Sequence, residues 1–437
     1  MKRLTLALLI TATFAPGVEA ANLMDIYRDA LANDAALASA RAAYQAGQEK
    51  LPQARALLLP SLDLGASTIW NKEEILTRST GTTTDYNYNS NGAKLTLMQP
   101  IYRRQNWAIY ELGKLQSAVA EIQYVAAQQG LILNVAQAYF DVLLAQDNVA
   151  LAGTQNKAIQ EQLEQAKMSF EVGTATITDT HEAQARFDLA SASEIAALNE
   201  LEIRQRALEK IIGKLPGPLA TLAAELSLQA PEPNDISKWV GAAEQDNLLV
   251  QAKRVSAEIA NQEVERNRAG HHPTLDLVAT YGDSGLSGGR FGAYDTRATT
   301  IGLQLALPLY QGGATSSRVR EAVANQEKAR QDLTLEVRQS ALSTREAYLG
   351  VTSGAAQVRA LEQALVSSQS ALDSTRLGLE VGVRTNVDVL NAQQQLFSAK
   401  RDLYKARYAY LVSRLKLKSA AGTLAEDDLQ QVNQWLK

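Results

Sequence analysis

Two stretches of the chain alternate apolar and polar residues with a period of two. In the first, Leu62, Leu64 and Ala66 stand against Asp63, and further on Leu95 and Leu97 stand against Lys94 and Thr96. In the second, Leu275 and Leu277 oppose Asp276, and Ile301, Leu303, Leu305 and Leu307 oppose Gly302 and Gln304. Such alternation predicts strands with one apolar and one polar face. Pro60 and Pro273 precede the two openings, and loops rich in Gly, Ser, Thr and Asn separate each strand from its return. The pattern therefore predicts two hairpins, over residues 60–102 and 273–310, with strands of about 9 to 11 residues, the length that suits a tilted membrane strand.

The rest reads as helix. Arg103 to Glu171 and Gln311 to Glu380 contain no proline and are dominated by Ala, Gln, Glu, Leu and Arg. Each predicts a helix roughly 105 Å long at 1.5 Å per residue. Both end at a Val-Gly pair, Val172-Gly173 and Val381-Gly382, which predicts a stop and a reversal. The returning helices, Thr178 to Ile212 and Asn386 to Ala421, are about half as long, as are the initial segments Leu23 to Leu57 and Ile236 to Arg268. Placed end to end, an initial and a returning helix match one long helix, so the simplest packing is four parallel-axis rods.

These features recur. Ala138-Tyr139 returns as Ala347-Tyr348, Phe170-Glu171-Val172-Gly173 as Leu379-Glu380-Val381-Gly382, Asp179 as Asp388, and Ile212-Gly213 as Ala421-Gly422, always 209 residues on. The expected layout is a first repeat over 21–213, a linker over 214–234 marked by Pro216, Pro218, Pro231 and Pro233, a second repeat over 235–421, and a tail over 422–437.

The opening residues change the picture. Lys2 and Arg3, an apolar run from Leu4 to Phe14, and small residues before Ala21 predict a cleaved signal peptide over 1–20. Downstream no apolar run spans a bilayer; the best candidate, Leu131 to Ala145, is broken by Asn134, Gln137 and Asp141. An exported chain of this kind is either soluble or held in a membrane as a β-barrel. Four strands cannot close a barrel, since the smallest bacterial ones use about eight, so subunits would have to pool strands. Aromatic residues mark the expected membrane interfaces, Trp70 and Tyr281 at one end, Tyr102, Trp107 and Tyr310 at the other. A soluble sandwich shows the same alternation, but the hairpins here are isolated from each other by long helices.

Composition removes other functions. With 43 Lys+Arg against 47 Asp+Glu the net charge is −4, which argues against nucleic acid as a partner. Cysteine is absent, so disulfides, thiol catalysis, Cys-ligated zinc and a lipid anchor on Cys fall away. The three histidines, His181, His271 and His272, offer no metal site, because the adjacent pair points to opposite faces of an extended segment. No cofactor is expected, and GxxxxGK[ST] does not occur. Tyr supplies 15 residues against 6 Phe and 4 Trp, which predicts thin packing built largely from Ala, Leu and Val. Gly282-Asp283-Ser284-Gly285 and Gly285-Leu286-Ser287-Gly288-Gly289 imitate nucleophile motifs, but fall in a hairpin loop rather than a strand-to-helix turn, with no His at hand. No catalytic residue is expected.

From Leu379 the chain reads LEVGVRTNVDVLNAQQQLFSAKRDLYKARYAYLVSRLKLKSAAGTL, and its partner at Phe170 reads FEVGTATITD. With the hairpins and proline-marked joints, these resemble the TolC family of outer-membrane efflux and type I secretion channels, over essentially all of the mature sequence. The resemblance implies a mainly α fold with a transmembrane β part. Three identical chains would form a twelve-stranded β-barrel in outer-membrane lipid, continuous with an α-barrel through the periplasm. It implies a passive exit duct, energised by an inner-membrane transporter of ABC or RND type. A periplasmic adaptor (membrane fusion) protein would dock at the tips, Val172, Gly173, Val381 and Gly382.

The resemblance further implies a periplasmic gate at Asp388, Arg384, Asp179, Thr178, Asn391 and Leu379. Asp388 would line the constricted entrance and Arg384 would bond across helices to Asp179. Taken alone, Arg384 and Asp388 read as a solvated pair four residues apart on one helix face. Two positions depart from the family pattern: Asn391 stands where a second carboxylate is common, and Leu379 where a gating Tyr is common. The closed state would then lean on Arg384, Thr178 and Asp179, with weaker cation block. The rival reading is a periplasmic coiled-coil interaction protein without a channel.

Overall fold

Local chemistry fixes the element boundaries. Asn22 caps α1 (Leu23–Asn33) through a box with Asp25, and Asp34 accepts from the Leu37 N–H at 2.6 Å to open α2 (Ala35–Gln48). α3 (Lys50–Ala56) follows, then β1 (Ser61–Thr77), β2 (Thr82–Arg103), the long α4 (Arg104–Glu171) and its return α5 (Ile177–Ile212). The second series runs α6 (Ile236–Asp246), α7 (Leu248–Arg268), β3 (Thr274–Leu286), β4 (Tyr294–Ala306), α8 (Ala314–Glu380) and α9 (Asn386–Ala420), and α10 (Glu426–Asn433) closes the chain. This computed structural model describes residues 20–223 and 226–437. The expected signal peptide lies outside the described residues except for Ala20. Among the described residues no helix is long and apolar enough to cross a membrane.

Two compact units result, and α4 and α8 contribute to both. The unit of Ala40–Val125 and Leu248–Gln339 holds the sheet, which is antiparallel in the order β1-β2-β3-β4. Register sorts its faces. Leu62, Leu97, Ala279 and Ile301 lie in one row, Leu64, Leu95, Tyr281 and Thr299 in the next. The opposite face carries Asp63, Thr96, Thr280 and Thr300, with the two last hydroxyls 2.6 Å apart. The apolar face has no cover among the described residues: Leu64 is 74% and Ile301 76% exposed, and Leu62, Leu303 and Leu305 resemble them.

The strands run 17, 22, 13 and 13 residues, longer than the 9 to 11 expected. Most of the polar segment read as the first loop is strand, because Thr and Tyr suit a pleated surface as well as apolar β-branched residues do. Ser284 likewise lies within β3, and only Ser287 begins the loop. Pro100 sits at a register shift in β2, where a missing N–H is tolerated. Arg103 clamps the helix end of the sheet, its guanidinium bonding both oxygens of the 6%-exposed Asp276 at 2.7 and 2.6 Å. Gly113 lets α4 approach α3, since a Cβ there would stand 2.6 Å from the Ala54 Cβ.

Among the described residues the second unit comprises 20–39, 126–247 and 340–437. Its core includes Tyr139, Phe140, Leu208, Ile212, Tyr410, Leu411 and Leu415, all fully buried. The tyrosine-rich composition has its reason here. Tyr139 donates to the Ala220 carbonyl at 2.7 Å and Tyr410 to the Gln229 carbonyl at 2.8 Å, so two core rings pin the proline-rich linker. The expected single helices 23–57 and 236–268 are broken, at Asp34 and near Glu49 in one and at Asn247 in the other. The expected tail is structured too. α10 is capped by Asp428, which also pairs with Lys418, and Lys437 and Thr221 exchange backbone hydrogen bonds.

Candidate functional site: the paired hairpin tips

Both tips are built by the same hydrogen bonds. At the end of α4 the Thr174 N–H donates to the Ser169 carbonyl at 2.8 Å and the Gly173 N–H to the Phe170 carbonyl at 3.0 Å. At the end of α8 the Val383 N–H donates to Gly378 at 2.9 Å and the Gly382 N–H to Leu379 at 3.0 Å. This is the helix stop that needs a left-handed residue, and Gly173 and Gly382 supply it at φ of 78° and 79°. Thr176 then caps α5 and Thr385 caps α9. Each accepts from the N–H three residues on, and each donates to the carboxylate of Asp179 or Asp388 through both its own N–H and its hydroxyl.

Both acidic gate candidates are therefore capping-box residues. The threonine-to-aspartate spacing of three is the sequence signal for that role. Asp388 is held below the usual carboxylate range by the Thr385 N–H, then by the Thr385 hydroxyl, with a smaller contribution from Arg384. The expected helical Arg384–Asp388 pair needs correcting, because Arg384 lies in the turn before α9. Its side chain instead crosses Gly378, where a Cβ would stand 2.7 Å from its Cγ.

Arg384, Asp179, Leu379 and Thr385 line one groove of about 560 Å³. Among the described residues no ion pair joins Arg384 to Asp179 within the chain. Leu379 also packs on the cluster of Leu372, Val389 and Leu396, so it helps hold α8 against α9. Thr178 is exposed in the first turn of α5. Asn391 accepts from the Arg186 guanidinium at 3.0 Å, and Gln394 from the same group at 2.5 Å, which ties α5 to α9. Sequence reasoning missed Arg186. It missed Gln393 as well, which is 1% exposed with neither amide atom paired among the described residues.

The serines read as imitations have structural surroundings. Ser284 pairs with Gly92 and Thr296 in the sheet, and the Ser287 hydroxyl accepts from the Asn89 N–H at 2.8 Å. His271 and His272 precede the other end of β3, roughly 30 Å from Ser284 at the rise of a strand.

A sheet with one exposed apolar face, in a chain whose two helical hairpins each pair a helix of 68 or 67 residues with a return of 36 or 35, defines a class: membrane channel subunits that pair a β part with an α part. Residues 26–214 and 239–423 match the family described as outer membrane efflux protein. The chain belongs to that family, and its place is the outer membrane. It is 36% identical over 448 residues to the outer membrane protein TolC of Vibrio cholerae, covering 100% of this chain and 99% of that one. It is 33% identical to the proteases secretion protein PrtF of Dickeya chrysanthemi, covering 100% and 96%. Among solved structures, the Campylobacter jejuni CmeC outer membrane channel superposes with a TM-score of 0.81, at 19% identity over 95% of this chain and 90% of that one.

Proposed function

We propose that three copies of this chain close their sheets into one barrel and form a passive exit duct for efflux and type I secretion. The observation that carries the reading is the exposed apolar face of a sheet whose outer strands, β1 and β4, each have one unpaired edge. Unpaired edges and bare leucines are a liability in water. Closure edge to edge in lipid removes both, whereas a channel-free periplasmic coiled coil leaves both in place. The number three rests on the family resemblance. The pooled barrel would set Trp70 toward one interface and Tyr102, Trp107 and Tyr310 toward the other, but Tyr281 does not share the level of Trp70 as expected. Tyr281 is level with Leu64, so Trp70 stands six residues further along β1, roughly 20 Å at the rise of a strand.

The periplasmic end closes at the hairpin tips. With no Arg384–Asp179 ion pair among the described residues, Arg384 would meet Asp179 of a neighbouring copy, and a periplasmic adaptor docking on Val172, Gly173, Val381 and Gly382 would favour the open state. An inner-membrane ABC or RND-type transporter supplies the energy, and the name of the Dickeya relative supports protein cargo. The chain has no enzymatic part in this reading. Light scattering of the protein in detergent is expected to give a trimer; a monomer that stays soluble without detergent would sink the barrel. Arg384→Ser and Asp179→Ala should each raise single-channel conductance, and the double variant should add little. Strict additivity would refute the pairing.

A further inference from the structure

At the helix end of the sheet lies a groove of about 510 Å³ lined by three arginines and a histidine but by no carboxylate. Arg104 opens α4, Arg266 lies near the end of α7, Arg318 lies just over one turn into α8, and His272 precedes β3. Arg266 is engaged by Glu263 at 2.7 Å. Glu263 and Glu321 line the adjoining groove, yet among the described residues neither Arg104 nor Arg318 forms an ion pair. Two exposed guanidinium groups facing a concave site without an acid select an oxyanion, and their planar fork fits phosphate in particular.

The apolar surroundings narrow the ligand. Leu307 lines the same groove, Leu309 and Tyr310 beyond it are 89% and 87% exposed, and Leu305 and Leu303 continue the bare face of β4. A molecule that satisfies both surfaces carries phosphate at one end and hydrocarbon at the other. We infer that the groove holds the phosphate headgroup of an anionic glycerophospholipid, whose acyl chains lie along Leu305 and Leu303. The inference rests on outer-membrane placement and needs neither the gate nor the trimer count. Basic pockets at a membrane boundary are where such headgroups collect.

The test titrates delipidated protein in detergent with phosphatidylglycerol, phosphatidylcholine and inorganic phosphate, counting bound molecules by native mass spectrometry. Wild type is expected to retain phosphatidylglycerol in preference to phosphatidylcholine. Loss of two exposed charge contacts in Arg104→Gln/Arg318→Gln should weaken retention between roughly twofold and thirtyfold. Arg103 and its Asp276 contact are left intact, so the sheet clamp is preserved. Should the double variant misassemble, Arg318→Gln alone, on an exposed helix face, should give an intermediate loss. Unchanged retention in the variants, or equal retention of phosphatidylcholine, overturns the proposal. Inorganic phosphate binding as tightly as the lipid would make this a free-anion site and overturn it equally. Failure of the barrel reading looks different, as a soluble monomer in light scattering.

Discussion

The two tips share a backbone and differ in what they hang on it. Stop, glycine and capping box superimpose position for position, 209 residues apart, yet Ser169 and Ala175 of the first tip become Gly378 and Arg384 in the second. The swap is compensatory. The first tip has only the short side chain of Ala175 at the position of Arg384, whose stem occupies the space a Cβ at 378 would need. Glu182 likewise corresponds to Asn391, and the half-buried Gln184, which donates to Asp188 at 2.9 Å, to the buried Gln393. Duplication kept the part that backbone physics dictates, and the side chains hung on it diverged.

The joints at the other ends of the returning helices offer the sharpest way to break this comparison. Gly213 and Gly422 both stop their helices at φ of 75°. A Cβ on Gly213 meets only the Asn33 side chain at 3.2 Å, but on Gly422 it would stand 2.2 Å from the Asp246 carbonyl oxygen. Gly213→Ala should cost about 1 to 2 kcal/mol for the left-handed backbone. Gly422→Ala should exceed it, at about 3 kcal/mol or more, because backbone must move. Denaturant unfolding in detergent measures both, and equal costs would mean that the second joint relaxes as freely as the first.

How much of this was legible follows the same division. Periodicity placed the long helices to within about three residues at each end, because a proline-free run between strong stops leaves the backbone little choice. Strand length was misread because Thr, Asn and Tyr pair in a ladder while looking like a loop. The break at Asp34 is a local cap, whereas the break at Asn247 and the fold of the tail depend on contacts between distant segments, such as the Asn247 amide donating to the Ala420 carbonyl at 2.9 Å. At the site, the glycines and carboxylates were found. Arg186 and Gln393 were not, since a polar residue on a helix reveals nothing about which face is buried.

Gln393 gives the next largest effect. A buried amide with neither atom paired carries a desolvation cost of about 1 to 3 kcal/mol. Gln393→Leu should recover part of it, stabilise the second hairpin against proteolysis, and lengthen closed times in single-channel recordings. Gln184→Leu, at the half-buried counterpart whose amide already donates to Asp188, should give no such gain. If the two behave alike, the buried amide has found a partner in the assembled channel.

The smallest effect concerns what holds the Asp388 charge, and acid titration separates the causes. Its carboxylate lies below the usual 3.8, chiefly through the Thr385 N–H, next through the Thr385 hydroxyl, and least through Arg384. A lowered pKa in the folded state means that the box adds stability above the unfolded value, and that this is lost as pH falls through the folded value. The first turn of α9 should therefore stay capped at neutral and mildly acidic pH and fray only below 3.8, visible as faster amide exchange there. Thr385→Ala removes the hydroxyl but keeps the N–H, so the Asp388 pKa, followed by carboxyl-carbon NMR, should rise part of the way toward 3.8. Arg384→Ser removes only the weakest contribution and should move it less. The reverse order would mean that the cation, not the cap, sets this carboxylate, and that Arg384 is spent on its own helix rather than on a neighbour across the entrance.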